Sequence, residues 1–154
     1  KNCEEIVKEI FETSKKYSCK ITFPDDVLVG KHFNDKSKIK ELNDIEYDDL
    51  ILDIGPNTIN KIKKIIETSK TILWNGPAGY FENLNFANGS YEIAKSIINK
   101  NKNKSIYSVV GGGDTIAVIN KINGLKNFDF VSTAGGAFLE YLEGKDLPGI
   151  KALD

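Results

Sequence analysis

From residue 50 onward, the sequence alternates short apolar runs with longer stretches in which apolar residues recur every three or four positions. The first kind of segment is typical of buried strands and the second of amphipathic helices. Strands that alternate with helices favour an α/β fold, and we expect a Rossmann-like, three-layer arrangement with a parallel sheet between helices. The predicted strands are residues 50–53, 71–74, 105–110 and 128–132, and the predicted helices are residues 58–69, 86–100, 115–122 and 135–142.

The first 49 residues follow this alternation less closely. Residues 3–17 carry apolar side chains at three- and four-residue steps, which predicts a surface helix with one buried face. Residues 20–23 and 27–29 have the composition of short strands. Residues 30–49 are rich in charged side chains and lack periodicity, so we expect a long connection there.

Length and charge limit the classes of function. The chain has 154 residues, 40% hydrophobic and 28% charged, which is ordinary for one globular domain. Its formal net charge is -1, and no basic stripe with interleaved aromatic residues occurs, so we expect no nucleic-acid partner. No uninterrupted apolar run reaches the roughly 18 residues that a membrane span needs. We therefore expect no membrane association.

All 21 basic residues are lysines, and arginine is absent. Arginine is the side chain best shaped to hold a phosphate group through two hydrogen bonds. Any phosphate chemistry must therefore rely on lysines, helix N-termini, a metal ion or another domain. The first residues also have the pattern of the middle of a helix, so we expect a further segment to precede them.

The sharpest local motif is the glycine-rich turn at residues 109–115 (VVGGGDT), which follows a predicted strand and opens a predicted helix. Glycines permit positive φ angles and let backbone amides approach a ligand closely. The helix N-terminus adds unpaired N–H groups, so a phosphate group is well received there. Asp114 is either a helix cap or a carboxylate that holds Mg²⁺ on nucleotide phosphates. The motif alone leaves both roles open.

Two further turns also follow predicted strands, and ligands of parallel sheets collect at such strand ends. Residues 132–137 (STAGGA) offer a second helix N-terminus, which suits phosphoryl transfer but is also typical of a tight structural turn. Residues 74–82 (WNGPAGYFE) form a rigid turn, with Asn75 at the strand end and Glu82 placed to accept ribose hydroxyls. We expect Trp74 in the core.

These three motifs, in this order and at roughly these spacings, resemble the nucleotide-side lobe of phosphoglycerate kinase. That lobe carries W-N-G-P-x-G-x-F-E, then G-G-G-D-[ST], then S-T-G-G-G-A-S-L-E-x-L-E-G-K-x-L-P-G. Here the last motif reads STAGGAFLEYLEGKDLPG at residues 132–149, and residues 53–56 (DIGP) match the family's D-x-G-P. The resemblance implies that residues 1–154 are part of the family's C-terminal, nucleotide-binding domain.

The resemblance also implies an activity: a kinase that passes a phosphoryl group reversibly between 1,3-bisphosphoglycerate and ADP, giving 3-phosphoglycerate and ATP, with Mg²⁺. By position, Asp114 would hold the metal ion. Gly135 and Gly136 would donate backbone N–H groups to the phosphoryl group during its transfer. The residues implied to cradle the nucleotide phosphates are Gly112, Gly113 and Thr115. The residues implied to border the rest of the nucleotide are Leu52, Asn75, Gly76 and, at the ribose, Glu82.

Several positions depart from the family pattern. Ile51 stands where the family usually has a glycine that lets the backbone lie against adenine, so we expect its branched side chain either to clash with adenine or to reshape the pocket. Ala134 replaces a glycine, Phe138 replaces a small residue, and Ala78 replaces a larger apolar residue. Ile51 and Phe138 motivate an alternative, a diverged non-catalytic relative that acts as a nucleotide-binding or interaction module. A third hypothesis is an unrelated doubly wound phosphate-binding domain.

In the family, the triose phosphate is held by a basic N-terminal lobe that carries arginine, and lysines of a G-G-A-K-x-x-D-K segment contact the nucleotide. Neither feature occurs in these residues. We therefore expect the isolated chain to be inactive, with the N-terminal lobe of the same polypeptide as its partner. The resemblance further implies small-molecule substrates only, a monomer, and a cytoplasmic or organellar location.

Overall fold

The computed structural model of the chain describes residues 2–153, in which strands and helices alternate over most of the length. The strands are β1 (Asp26–Gly30), β2 (Lys38–Glu41), β3 (Leu50–Ile54), β4 (Thr71–Asn75), β5 (Tyr107–Gly111) and β6 (Phe130–Ser132). The helices are α1 (Cys3–Lys16), α2 (Pro56–Thr68), α3 (Asn88–Asn101), α4 (Gly113–Lys121), α5 (Gly135–Leu142) and α6 (Pro148–Lys151).

The second half of the chain forms a parallel sheet in the order β4-β5-β6. Each strand is followed by a helix, as the alternation of apolar runs and helical periodicity predicts. The register aligns Asn75 with Gly111 and Gly111 with Ser132, so the three strands end at the same edge of the sheet. The predicted α/β fold class is confirmed.

A separate antiparallel sheet, in the order β2-β1-β3, precedes the parallel one. Three sequence expectations are wrong here. Residues 50–53 were expected in the parallel sheet but belong to β3, residues 20–23 form no strand, and residues 30–49 contain β2. The side chains of β2 (KIKE) are mostly charged, and the strand is held by its backbone ladder with β1, which side-chain periodicity cannot reveal.

The core lies on one face of the parallel sheet. Side chains from β4, β5, α3 and α4 pack there, and Val110 of β5 is completely buried. Trp74 belongs to this cluster, which confirms its predicted place in the core. The two helices contribute further fully buried apolar side chains to the cluster, among them Ile97, Val118 and Ile119. Burial of this apolar surface drives the folding of this half.

The opposite face of the parallel sheet carries apolar side chains that the described residues leave exposed. Leu73, Val109 and Phe130 are register partners across the three strands and therefore share this face. Leu73 is 44% exposed and Phe130 is 49% exposed. The predicted helix α1 is present, but the expectation of a buried face is wrong within residues 2–153, because no residue of α1 is buried.

Two buried carboxylates join strands to helix N-termini. Asp26 of β1 accepts hydrogen bonds from the backbone N–H groups of Asn57 and Thr58 in the first turn of α2, at 2.9 and 2.7 Å. Asp53 of β3 accepts the N–H of Gly89 in the first turn of α3, at 2.8 Å. Each carboxylate satisfies N–H groups that a helix leaves without a partner. These contacts fix both helices on the antiparallel sheet.

The two carboxylates differ in acidity. Burial raises the pKa of Asp26, but the N–H groups of Asn57 and Thr58 outweigh this effect, so its pKa lies below the ordinary value. Burial raises the pKa of Asp53 to about 6, because the N–H groups of Gly89 and Ile54 offset only part of the desolvation. The pKa of Asp53 therefore lies close to neutrality.

Gly89 has no room for a side chain. A Cβ atom at this position would lie 2.3 Å from Oδ1 of Asp53. We expect Gly89→Ala to lower the free energy of unfolding by about 2 kcal/mol, because such an overlap displaces the carboxylate from the helix. Urea denaturation measures the change. Gly149→Ala is the matched control, since no atom of residues 2–153 lies within 4 Å of its Cβ position. An equal loss in both variants would contradict the close approach.

The pKa of Asp53 predicts a pH-dependent stability. An unfolded aspartate titrates near pH 4, so between about pH 4 and pH 6 the folded protein binds the proton more tightly than the unfolded chain. The stability contributed by this group is present below pH 4 and is lost, by about 2–3 kcal/mol, as the pH rises through 6. Urea denaturation across this range should show the decline relative to Asp53→Asn. A constant difference between the two proteins would refute the raised pKa.

Candidate functional site

The three sequence turns meet at one edge of the parallel sheet. Asn75, Gly111 and Ser132 end their strands side by side in the register, and each turn begins directly after its strand. The structure therefore brings residues 75–82, 111–115 and 132–137 to the same edge. This edge is where ligands of α/β sheets bind, because strand carboxyl ends and helix N-termini converge there.

The glycine turn at the end of β5 exposes backbone to a ligand. Gly112 is the N-cap residue of α4 and has a φ angle of 88°, a conformation that favours glycine. A Cβ at Gly112 would lie 2.9 Å from Oδ1 of Asn75, whereas nothing lies within 4 Å of a Cβ at Gly113. The first N–H groups of α4 have no partner within the helix. The turn therefore combines open space with an anion-binding helix N-terminus.

Asp114 lies in the first turn of α4 and is exposed. Gly112 occupies the N-cap position, and no side chain makes a cap hydrogen bond. The helix-cap interpretation of Asp114 is therefore wrong. Its carboxylate is available at the edge of the sheet, and carboxylate oxygens are the ligands that Mg²⁺ prefers in phosphate sites.

Thr115 is completely buried, unlike its neighbour Asp114. Its hydroxyl oxygen accepts the backbone N–H of Gly76 at 2.7 Å. The hydroxyl thus links the turn after β4 to the turn after β5, and it does not face an open space. Thr115 positions two of the three turns relative to each other.

The side chain of Asn75 carries an unused donor. Its Nδ2 atom is buried, and no partner for it is found among residues 2–153. A Cβ at Gly111 would lie 3.3 Å from this atom, so the amide lies against the end of β5. A buried donor without a partner is unfavourable, and a ligand oxygen would satisfy it.

The turn after β4 is held in place at several points. Nε1 of Trp74 donates to the carbonyl oxygen of Gly76 at 2.9 Å, and the N–H of Ala78 donates to Oγ of Ser90 at 2.9 Å. The N–H of Tyr80 donates to the carbonyl oxygen of Leu52 at 2.7 Å, which attaches the turn to β3. Nothing in the sequence pattern indicates the contact of Ser90, because it depends on how α3 packs against the turn.

A cavity of about 230 Å³ lies between this turn and β3. Leu52, Pro77 and Ala78 line it, and so does Ile51, which is 57% exposed. Asp53 also lines it, a role that its place in the DIGP motif does not reveal. The walls are largely apolar, which is typical of small-molecule binding pockets.

Glu82 and the glycines of the third turn are also open to ligands. Glu82 is exposed and follows Phe81, whose carbonyl oxygen accepts a hydrogen bond from Nζ of Lys121 at 3.2 Å. Gly135 and Gly136 begin α5, and nothing lies within 4 Å of a Cβ at either position. The backbone at the N-terminus of α5 is therefore accessible.

An acidic cluster far along the chain from these turns is neutralised by lysines. Glu46, Asp48 and Asp49 could together surround a cation. Nζ of Lys31 lies 2.8 Å from Glu46 and 3.0 Å from Asp49, and Nζ of Lys40 lies 2.7 Å from Asp49. Lys40 also holds the pKa of Asp49 well below its usual range. The cluster is a network of ion pairs.

None of the helices in residues 2–153 combines the length and the apolarity that a membrane crossing requires.

Comparison with known proteins identifies relatives over almost the whole chain. The family model for phosphoglycerate kinase matches residues 1–145. The chain is 44% identical over 153 residues to the phosphoglycerate kinase of Zymomonas mobilis, a match that covers 98% of this chain and 38% of the relative. It is 45% identical over 147 residues to the phosphoglycerate kinase of Orientia tsutsugamushi, a match that covers 94% of this chain and 36% of the relative.

Solved structures of phosphoglycerate kinases also match the fold of the chain. The structure of phosphoglycerate kinase from Coxiella burnetii matches with a TM-score of 0.86 at 37% identity, covering 96% of this chain and 38% of that one. The structure of phosphoglycerate kinase from Pyrococcus horikoshii matches with a TM-score of 0.78 at 32% identity, covering 97% of this chain and 36% of that one. The chain thus spans well under half the length of these relatives.

The link between Thr115 and Gly76 can be tested directly. We expect Thr115→Val to lower the free energy of unfolding by about 1–2 kcal/mol, because the N–H of Gly76 loses its acceptor while the side-chain volume is kept. Thr71→Val at the exposed start of β4 is the control and should change stability by less than about 0.5 kcal/mol. Urea denaturation of both variants measures the difference. Equal stability of Thr115→Val and the original protein would contradict the role of the link.

Proposed function

The chain belongs to the phosphoglycerate kinase family, and we propose that it forms the nucleotide-binding part of an enzyme that transfers a phosphoryl group reversibly between 1,3-bisphosphoglycerate and ADP. The products are 3-phosphoglycerate and ATP. The single observation that carries this proposal is the alignment of three glycine-containing turns at one sheet edge, with Asp114 in the first turn of α4. This arrangement supports binding of a phosphate chain and its metal ion.

The residues present suit Mg²⁺ and a nucleotide. Asp114 is exposed and free of a capping role, the N-terminus of α4 offers N–H groups, and Nδ2 of Asn75 is a donor in need of an acceptor. Bound Mg²⁺ would neutralise charge on the nucleotide phosphates during transfer. Asp114 would hold it, while Gly112 and Gly113 would direct backbone N–H groups at the phosphates.

Thr115 would act through Gly76, keeping the turn after β4 at a fixed distance from the phosphate-binding turn. Gly135 and Gly136 at the start of α5 would donate N–H groups to the phosphoryl group as its charge develops. No covalent intermediate on the protein is needed, because positioning and electrostatic stabilisation are the main terms in such transfers.

The remainder of the nucleotide would occupy the cavity between β3 and the turn after β4. Leu52 and Ala78 would contact the adenine ring, and Glu82 would accept hydrogen bonds from the ribose hydroxyls. Ile51 lines the same cavity, so the ring would pack against a branched side chain. The apolar walls support this assignment.

We also propose that an N-terminal lobe of the same polypeptide completes the enzyme and holds the triose phosphate. Two observations support it: the chain spans 38% of the relative from Zymomonas mobilis, and the apolar face around Leu73 and Phe130 is exposed. Exposed apolar patches of this kind mark surfaces that another segment covers. The enzyme would be a monomer of the cytoplasm or of an organelle, and the free cysteines Cys3 and Cys19 suit a reducing compartment.

Asp114→Asn in the complete polypeptide tests the proposal. We expect kcat/KM to fall by about a hundredfold or more, because the amide cannot replace a charged metal ligand. The activity is measured with ATP and 3-phosphoglycerate at several concentrations of Mg²⁺, and added Mg²⁺ should restore part of it. Asp44→Asn, at an exposed site far along the chain, should keep the original activity.

Two results would sink the proposal. One is an active Asp114→Asn variant with an unchanged requirement for Mg²⁺. The other is a complete polypeptide that binds Mg-ADP but transfers no phosphoryl group, which would favour the non-catalytic alternative.

A further inference from the structure

The aromatic ring of Phe138 lies on the carboxyl end of β5. A Cβ at Gly111 would be 3.2 Å from Cδ1 and 3.5 Å from Cε1 of this ring. Phe138 is in the first turn of α5, so its side chain reaches from the third turn to the strand that precedes the second. The ring therefore lies within the edge where the three turns meet.

The unused donor of Asn75 lies at the same end of β5 as the ring. The same Cβ point at Gly111 lies 3.3 Å from Nδ2 of Asn75, on which no hydrogen bond is found within the described residues. An aromatic carbon is not a hydrogen-bond acceptor of the usual kind, so the ring cannot satisfy this donor. A buried donor without a partner and an aromatic ring thus both lie against the end of β5.

The ring is not firmly held in this place. No residue of α5 is buried, and Phe138 itself is only partly buried. Gly135, with a φ angle of 49°, and Gly136 precede it in the same helical turn. Glycines leave the backbone more freedom than any other residue. The start of α5 can therefore move without breaking a packed core.

We propose that Phe138 is a gate over the amide of Asn75, which opens when a nucleotide phosphate replaces the ring as the neighbour of Nδ2. This proposal rests on the function proposed above and adds to it a device that weakens nucleotide binding. With the ring in place, the phosphate chain reaches the N-terminus of α4 but not Asn75. The apparent affinity is reduced by the fraction of molecules in which the gate is closed.

The test is calorimetry on the complete polypeptide with Mg-ADP as the probe. Phe138→Ala should tighten binding on the order of tenfold, because the phosphate gains the Asn75 hydrogen bond without displacing the ring. Adenosine, which has no phosphate, should bind both proteins equally. Tyr141→Ala, which removes an exposed aromatic ring from the same helix, is the control and should leave the affinity for Mg-ADP unchanged.

The double variant separates a gate from a merely structural effect. In the Asn75→Ala background, Phe138→Ala should give no gain, because the donor that the ring covers is gone. Weaker Mg-ADP binding by Phe138→Ala, or an equal gain with and without Asn75, would overturn the gate. Failure of the original protein and every variant to bind Mg-ADP would instead remove the proposed function and the gate with it, so the two failures are distinguishable.

Discussion

The carboxylate of Asp53 holds together the parts of the molecule that surround the cavity. It accepts the N–H of Gly89 at the start of α3, and it fills the space beside Gly79, where a Cβ would lie 2.5 Å from its Cγ. The adjacent carbonyl of Leu52 holds Tyr80 of the same turn. A buried carboxylate needs hydrogen-bond donors, and the N–H groups of a helix N-terminus need acceptors. The hydrogen bond between them therefore offsets the cost of burying both groups. The turn after β4 is attached to the same strand through Gly79 and Tyr80.

The parallel sheet gives the other half of the candidate site its geometry. Hydrogen bonding between β4, β5 and β6 aligns Asn75, Gly111 and Ser132, and the three turns begin from that row. Thr115 then fixes the separation of the first two turns through Gly76. The backbone groups that would meet phosphates are therefore placed by regular structure.

The charges of the site are incomplete within this chain, which contains no arginine. Asp114 adds negative charge, and the helix N-termini supply only partial positive charge. In the function proposed above, a metal ion and cations of the N-terminal lobe would complement this arrangement. The exposed apolar face of the parallel sheet also supports the proposal of a further segment of the polypeptide. A second layer over Leu73 and Phe130 would bury apolar surface that is exposed in the described residues.

The sequence by itself determined the α/β class, the helices of the second half and the strand-to-helix position of each glycine turn. Those features follow from side-chain periodicity and from the conformations that glycine permits. The tertiary structure decided what depends on backbone pairing between distant segments: the strand β2, whose charged side chains show no alternation, and the antiparallel partner of β3. It also buried Thr115 and brought Phe138 onto Gly111. These outcomes depend on contacts between residues that are far apart in the chain. Local sequence patterns cannot predict such contacts.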